Sequence, residues 1–165
     1  MCARRLRNLG AIVEAWLTQQ AEEFQKIPGH QLDILKRMGT TLHVPGEKVE
    51  LPQADLLIDS LIGYSLRGAP TGPAAALIGA ANSHGAPILS LDVPSGVDSD
   101  TGTVHKPSMQ AAATLTLALP KRGFLTESAK SNMGELTWAT SGYRQSSIGD
   151  RLWDSQWGTL LAGRT

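Results

Sequence analysis

Apolar residues come in short runs along this chain, set apart by glycine and proline, and the spacing within the runs alternates between helical and extended. Residues 1–9 read as the last turns of a helix that closes at Gly10, after the basic side chains Arg4, Arg5 and Arg7. Residues 11–17, β-branched and apolar behind that glycine, read as a strand. Residues 21–39 carry helical spacing in two pieces. Pro28-Gly29 breaks the first, and Leu32, Ile34, Leu35 and Met38 line one side of the second. Residues 41–44 make a short strand near a sheet edge.

The next half of the chain is more apolar. Residues 55–62 form a nearly continuous apolar run, the pattern of a strand buried on both faces. Pro70-Thr71-Gly72-Pro73 then opens a helix that runs through residues 74–83 until His84-Gly85 stops it. Residues 88–93 and 114–119 are further buried strands. The loop between them, residues 94–110, is longer than ordinary connections and so a candidate for function. Strands alternating with helices predict an α/β fold, a Rossmann-like, three-layer, doubly wound and mostly parallel sheet. Two of its strands end in an acid followed by a glycine-containing loop: Asp59 before Gly63 and Gly68, and Asp92 before Gly96. An open α/β sheet presents its chemistry at that edge, so both acids are expected to face one crevice.

Residues 1–140 form the predicted domain. Residues 141–165 read as a polar linker followed by a short helix with Leu152, Trp153, Trp157, Leu160 and Leu161 on one face. That face either caps the domain's own core or meets a partner.

Composition narrows the function classes. Fifteen basic and fifteen acidic side chains give a formal charge of zero, which predicts neither a nucleic-acid nor a membrane partner by long-range attraction. No apolar run approaches the ~18 to 20 residues that span a bilayer. Cys2, the single cysteine, excludes an internal disulfide and is compatible with a reducing compartment, so a cytoplasmic location is expected. Several motifs fail on inspection. Gly63 and Gly68 have the glycine spacing of a P-loop, but Ala69 stands where lysine is required. The four histidines show no paired ligand spacing.

Two readings of the strand-end residues remain open on spacing alone. A carboxylate at Asp59, a hydroxyl at Ser95 and nearby loop carbonyls suit a hard monovalent cation. An aspartate at a strand end also serves as a turn former or as the cap of the next helix. Gly63 and Gly68 let the backbone come close to a ligand, and Arg67 offers a forked donor to a phosphate.

The runs Ile58-Asp59-Ser60-Leu61-Ile62-Gly63, Leu66-Arg67-Gly68 and Leu91-Asp92-Val93-Pro94-Ser95-Gly96-Val97-Asp98 resemble the NAD(P)H-hydrate epimerase family, also called the YjeF amino-terminal domain. The similarity continues through Asp100-Thr101-Gly102, Leu117-Ala118-Leu119-Pro120-Lys121-Arg122-Gly123 and Gly134-Glu135-Leu136 in the same order and spacing. This resemblance implies potassium as cofactor, held by Asp59 and Ser95. It implies a substrate seat formed by Gly63, Tyr64, Ser65, Leu66, Arg67, Gly68 and Ala69 together with Asp92. It also implies a reaction, inversion at C6 of the hydrated nicotinamide ring of NADHX or NADPHX, for which Asp92 is the candidate general acid and base. Lys121 matches a Pro-Lys pair of the family, with no role attached. A homodimer, and a dehydratase fused or separate, are the partners implied.

In the family a first strand and an Asn-Gly-rich diphosphate loop precede the helix that matches residues 1–9. The chain thus reads as amino-terminally truncated, and a catalytically impaired fragment or a non-enzymatic interaction module of the same fold is the alternative. A gap or a rearranged pairing is expected between the strands at residues 11–17 and 55–62, where that first strand would lie.

Overall fold

The computed structural model describes residues 2–46 and 48–139. The predicted tail helix with Trp153 and Trp157 therefore lies outside the described residues. Helix α1 (Cys2–Asn8) ends at Gly10, whose φ of +93° is the left-handed turn expected there. Strand β1 (Glu14–Trp16) pairs in parallel with β2 (Thr41–His43), across a 3₁₀ turn (Ala21–Glu23) and helix α2 (Lys26–Arg37). A second parallel sheet contains β3 (Leu57–Asp59), β4 (Ile88–Leu91), β5 (Ala113–Leu117) and β6 (Glu135–Ala139), adjacent in that order. Helix α3 (Gly72–Ser83) crosses from β3 to β4, and α4 (Glu127–Met133) crosses from β5 to β6. Among the described residues no helix is long and apolar enough to cross a membrane.

The α/β architecture agrees with the sequence, and β1 and β3 belong to different sheets. Three details differ. Pro28 does not break a helix: it is the third residue of α2, in the first turn, where a backbone N–H has no intrahelical acceptor to lose. Strands β1 to β4 are shorter than the apolar runs that contain them, and β5 starts one residue before its run. And β3 is half-buried up to Asp59, because it is the edge strand of its sheet and no strand covers its outer side among the described residues.

Two apolar clusters hold the four-stranded sheet. Ile78 and Ala81 of α3 pack with Ile88 and Met109, and Leu51, Leu57 and Leu61 lean on them. Val93 and Val97 pack with Phe124, Ala129 and Met133 on the α4 side. On β5 the successive residues Ala113 and Thr114 point to opposite faces, and both are buried, so that strand is covered on both sides.

The second cluster explains the long loop. Residues 94–110 are folded onto the domain: Val97 bridges Val104, His105 N donates to Gly96 O at 2.9 Å, and Met109 N donates to Ser95 O at 2.7 Å. Asp98 closes the tip, its Oδ1 accepting from Asp100 N at 3.0 Å, Thr101 N at 2.7 Å and Thr101 Oγ1 at 2.9 Å. The backbone and side chain of Thr101, followed by the Asp100 amide, hold its carboxyl below the usual 3.8. Beneath it Gly123 N donates to Ser99 O at 2.8 Å, and a Cβ at Gly123 would stand 2.6 Å from Asp98 O and 2.6 Å from Gly102 N.

Two outcomes are expected. Gly123→Ala drives a methyl into backbone that cannot retreat, and should destabilise the fold by about 2 kcal/mol or more, read as a shift in urea midpoint. An unchanged midpoint would show that the loop is not seated on residue 123. Asp98 has a lowered folded pKa, so its stabilising contribution is complete above 3.8 and is lost as pH falls through the folded value. Below about pH 4 the melting temperature of Asp98→Asn should therefore fall less steeply than that of the natural chain, and parallel curves would exclude the turn as an acid-sensitive element.

Candidate active site at the carboxyl edge of the sheet

In a parallel sheet every strand emits its loop at the same edge, so the residues after β3, β4 and β5 come together without further design. Asp59, the last residue of β3, pairs in register with Ser90 of β4. Its carboxylate is 3% exposed and accepts four hydrogen bonds. Oδ1 takes Ser95 Oγ at 2.6 Å and Leu61 N at 3.2 Å, while Oδ2 takes Ser90 Oγ at 2.8 Å and Ser95 N at 2.8 Å. Ser95 Oγ in turn accepts from Ile62 N at 2.9 Å and lies 3.3 Å from Ile62 O. One carboxylate thus ties the loop after β3 to the loop after β4. Ser90 was not singled out in the sequence. Its signal was a lone hydroxyl inside an apolar strand, two residues before Asp92.

The four donors are uncharged, and four is the acceptor capacity of a carboxylate. The hydrogen bonds are therefore complete while the negative charge has no cationic side chain against it among the described residues. Asp59 Oδ1, Ser95 Oγ and Ile62 O stand together at one point of this network. That donor set, carboxylate, hydroxyl and carbonyl, is of the kind a hard monovalent cation takes, while the carboxylate's four acceptor positions are already filled from within the chain. No group of three His, Cys, Asp or Glu side chains gathers in metal-holding geometry among the described residues.

Asp92 stands at the same edge, one residue past β4, in a different setting. Its φ of +72° is left-handed, and Val93 N donates to Leu91 O at 3.0 Å, which closes a γ-turn around it. Ala118, one residue past β5, repeats this with φ of +64° and Leu119 N donating to Leu117 O at 2.9 Å. Such conformations cost about 1 to 3 kcal/mol each in residues other than glycine. Asp92 Oδ1 accepts from Leu117 N at 3.2 Å and lies 2.8 Å from Lys121 Nζ, with the two side chains about one fifth exposed. Of the two acids expected in one crevice, Asp59 is closed inside the sheet edge and Asp92 reaches solvent.

The loop after β3 completes the edge. Tyr64 is 77% exposed, Ser65, Arg67 and Ala69 are exposed, and Leu66 N donates to Gly63 O at 3.3 Å. Pro70 is buried and anchors the far end. Gly68 has φ of +77°, which favours glycine. Gly63 does not need that freedom, and a Cβ there would meet nothing within 4 Å. The fold itself leaves that space open, so a ligand has room to approach the backbone.

The chain is similar to proteins of several organisms. It is 42% identical over 126 residues to the NAD(P)H-hydrate epimerase of Dehalogenimonas lykanthroporepellens, covering 76% of this chain and 51% of that one. The NAD(P)H-hydrate epimerase of Rhodopirellula baltica is 34% identical over 137 residues, 81% of this chain and 56% of that one. The Bifunctional NAD(P)H-hydrate repair enzyme Nnr of Moorella thermoacetica is 35% identical over 87% of this chain, which spans 28% of it. The chain thus spans about half the length of the two epimerases and less of the bifunctional protein. Its fold is shared with the crystal structure of yeast ynu0, YNL200c, at a TM-score of 0.67 and 20% identity, over 84% of this chain and 58% of that one. The family model described as YjeF-related protein N-terminus matches residues 1–123 of the 165, and the chain belongs to that family.

Proposed function

We propose that this chain takes part in nicotinamide cofactor repair as an NAD(P)H-hydrate epimerase, interconverting the R and S forms of NADHX or NADPHX. The observation that carries this reading is Asp92, an accessible carboxylate fixed at the carboxyl edge of β4 in a family whose named relatives act on these compounds. Inversion at C6 needs a proton delivered to the hydroxyl oxygen that leaves and another taken from the water that replaces it. In its protonated form Asp92 gives its proton to the C6 hydroxyl, which leaves as water while the ring nitrogen lone pair forms a C=N bond and Asp92 is left as the carboxylate. Water then adds to the opposite face of the ring and releases a proton to solvent, from which the Asp92 carboxylate takes one back. General acid and base work of this kind contributes about 100- to 10,000-fold.

The loop at residues 63–69 is the proposed substrate seat. The open space at Gly63 lets the backbone approach the dinucleotide, and the exposed guanidinium of Arg67 pairs with a phosphate. Potassium is the proposed cofactor, held by Asp59, Ser95 and the Ile62 carbonyl. When bound it supplies positive charge to the buried carboxylate and fixes the seat. Asp59 and Ser95 otherwise act through the chain by joining the two loops. A dehydratase that consumes one epimer, fused or separate, is the companion activity that the bifunctional relatives suggest, and a homodimer is the proposed assembly.

The test starts from pure R-NADHX and follows the S form against the spontaneous rate in buffer. Turnover above buffer, reduced by about 100-fold or more in Asp92→Ala, is the expected result. A wild-type rate equal to buffer would move the chain to a non-enzymatic role. Replacing sodium by potassium at constant ionic strength should raise the melting temperature, because a cation that binds only the folded state stabilises it. Ser95→Ala should erase that difference between the two salts. Equal melting in both salts would remove the cation from the site.

A further inference from the structure

Lys121 has no task in the chemistry above, although it is the charged group that meets Asp92. Two γ-turns lie side by side at the ends of β4 and β5, centred on Asp92 and Ala118, and neither residue is glycine. Turns of this hand persist where the surroundings over-determine them. Here the surroundings converge on one ammonium. Its Nζ lies 2.8 Å from Asp92 Oδ1 and donates to Leu117 O at 3.1 Å and Leu119 O at 3.4 Å. Those two carbonyls flank Ala118, so the three N–H donors of the ammonium are divided between the flanks of one turn and the apex of the other. Asp92 Oδ1 closes the circuit by accepting from Leu117 N at 3.2 Å. The lysine stem starts from a fixed point, because Phe124 N donates to Lys121 O at 3.1 Å and Gly123 N donates to Ser99 O at 2.8 Å. An exposed ion pair with one partner contributes little. This one has three acceptors drawn from the ends of two strands.

We infer that Lys121 is a positioning residue for Asp92: it locks both turns and sets the direction in which the carboxylate meets the substrate. The kinetic consequence rests on the epimerase reading, whereas the clamp itself does not. Two measurements on the full chain separate them. In the first, Lys121→Met keeps the stem and removes the charge. Its kcat per folded molecule should fall by about 10- to 100-fold, the scale of a small misplacement, with KM within about threefold. Lys121→Arg, which keeps the charge, should retain more of kcat than Lys121→Met. A lysine that only stabilised the fold would lower the melting temperature and leave kcat alone, and Lys121→Met with the wild-type kcat would overturn the inference.

The second measurement follows the ¹H–¹⁵N signals of the lysine ammonium groups. The Lys121 signal, assigned by its absence in Lys121→Arg, should persist under conditions where that of the exposed Lys48 has been lost to exchange, and should vanish in Asp92→Asn. A Lys121 signal that exchanges as fast as that of Lys48 overturns the clamp whether or not the chain turns over. A wild type no faster than buffer removes the epimerase reading and leaves this signal to decide the clamp, as it does if Lys121→Met fails to fold.

Discussion

A carboxylate taken out of water has to be answered, and Asp59 sets that demand for the whole carboxyl edge of the sheet. Burial of an unanswered charge costs several kcal/mol even after relaxation, which is comparable to the net stability of a domain. The chain answers with uncharged donors: two serine hydroxyls and two backbone amides, from both loops and the middle of β4. Each donor is in place only if β3 and β4 hold their register and the Pro94-Ser95 turn closes over the strand end. The register, the entry to the loop at residues 94–110 and the start of the loop at residues 63–69 are therefore fixed by one group.

Asp92 is the counterpart of Asp59. It follows β4 by one residue, yet its hydrogen bonds point the other way, to β5 and Lys121. The left-handed turn at Asp92 is what separates the two roles. Continued as an extended strand, the chain would have carried residue 92 on in the alternating pattern of β4. Turned back, it leaves one acid within the fold and the other at its surface, and a site that needs one acid for architecture and another for proton transfer has both from adjacent strands.

Much of this was legible in the sequence, for reasons that can be given residue by residue. The order of helices and strands followed from the apolar runs and their glycine and proline boundaries, and the strand-end acids from the Asp-then-glycine pattern. Strand β6 and helix α4 were missed, because residues 127–139 carry few of the large apolar side chains that mark an element and depend on Thr126, which caps α4 by accepting from Ala129 N, and on pairing with β5. Pro28 was misjudged because proline breaks a helix only beyond its first turn. Neither the γ-turns nor the three contacts of Lys121 could be read from residue types: Ala118 does not announce a positive φ, and two of the three acceptors of Lys121 are backbone carbonyls that have no letter in the sequence.

The Asp59 network also has a temporal side. Three of its four hydrogen bonds come from residues 31 and 36 positions further along the chain, and every strand pairing of the four-stranded sheet joins segments separated by a crossover. Contacts of this range cannot form until the chain between them has been drawn in, and loop-closure entropy delays them relative to local helices. Until β4 arrives, the end of β3 is an acid that prefers water, so the apolar run before it has no stable seat of its own. The same carboxylate that secures the finished edge thus opposes burial of that edge before its partners are in place.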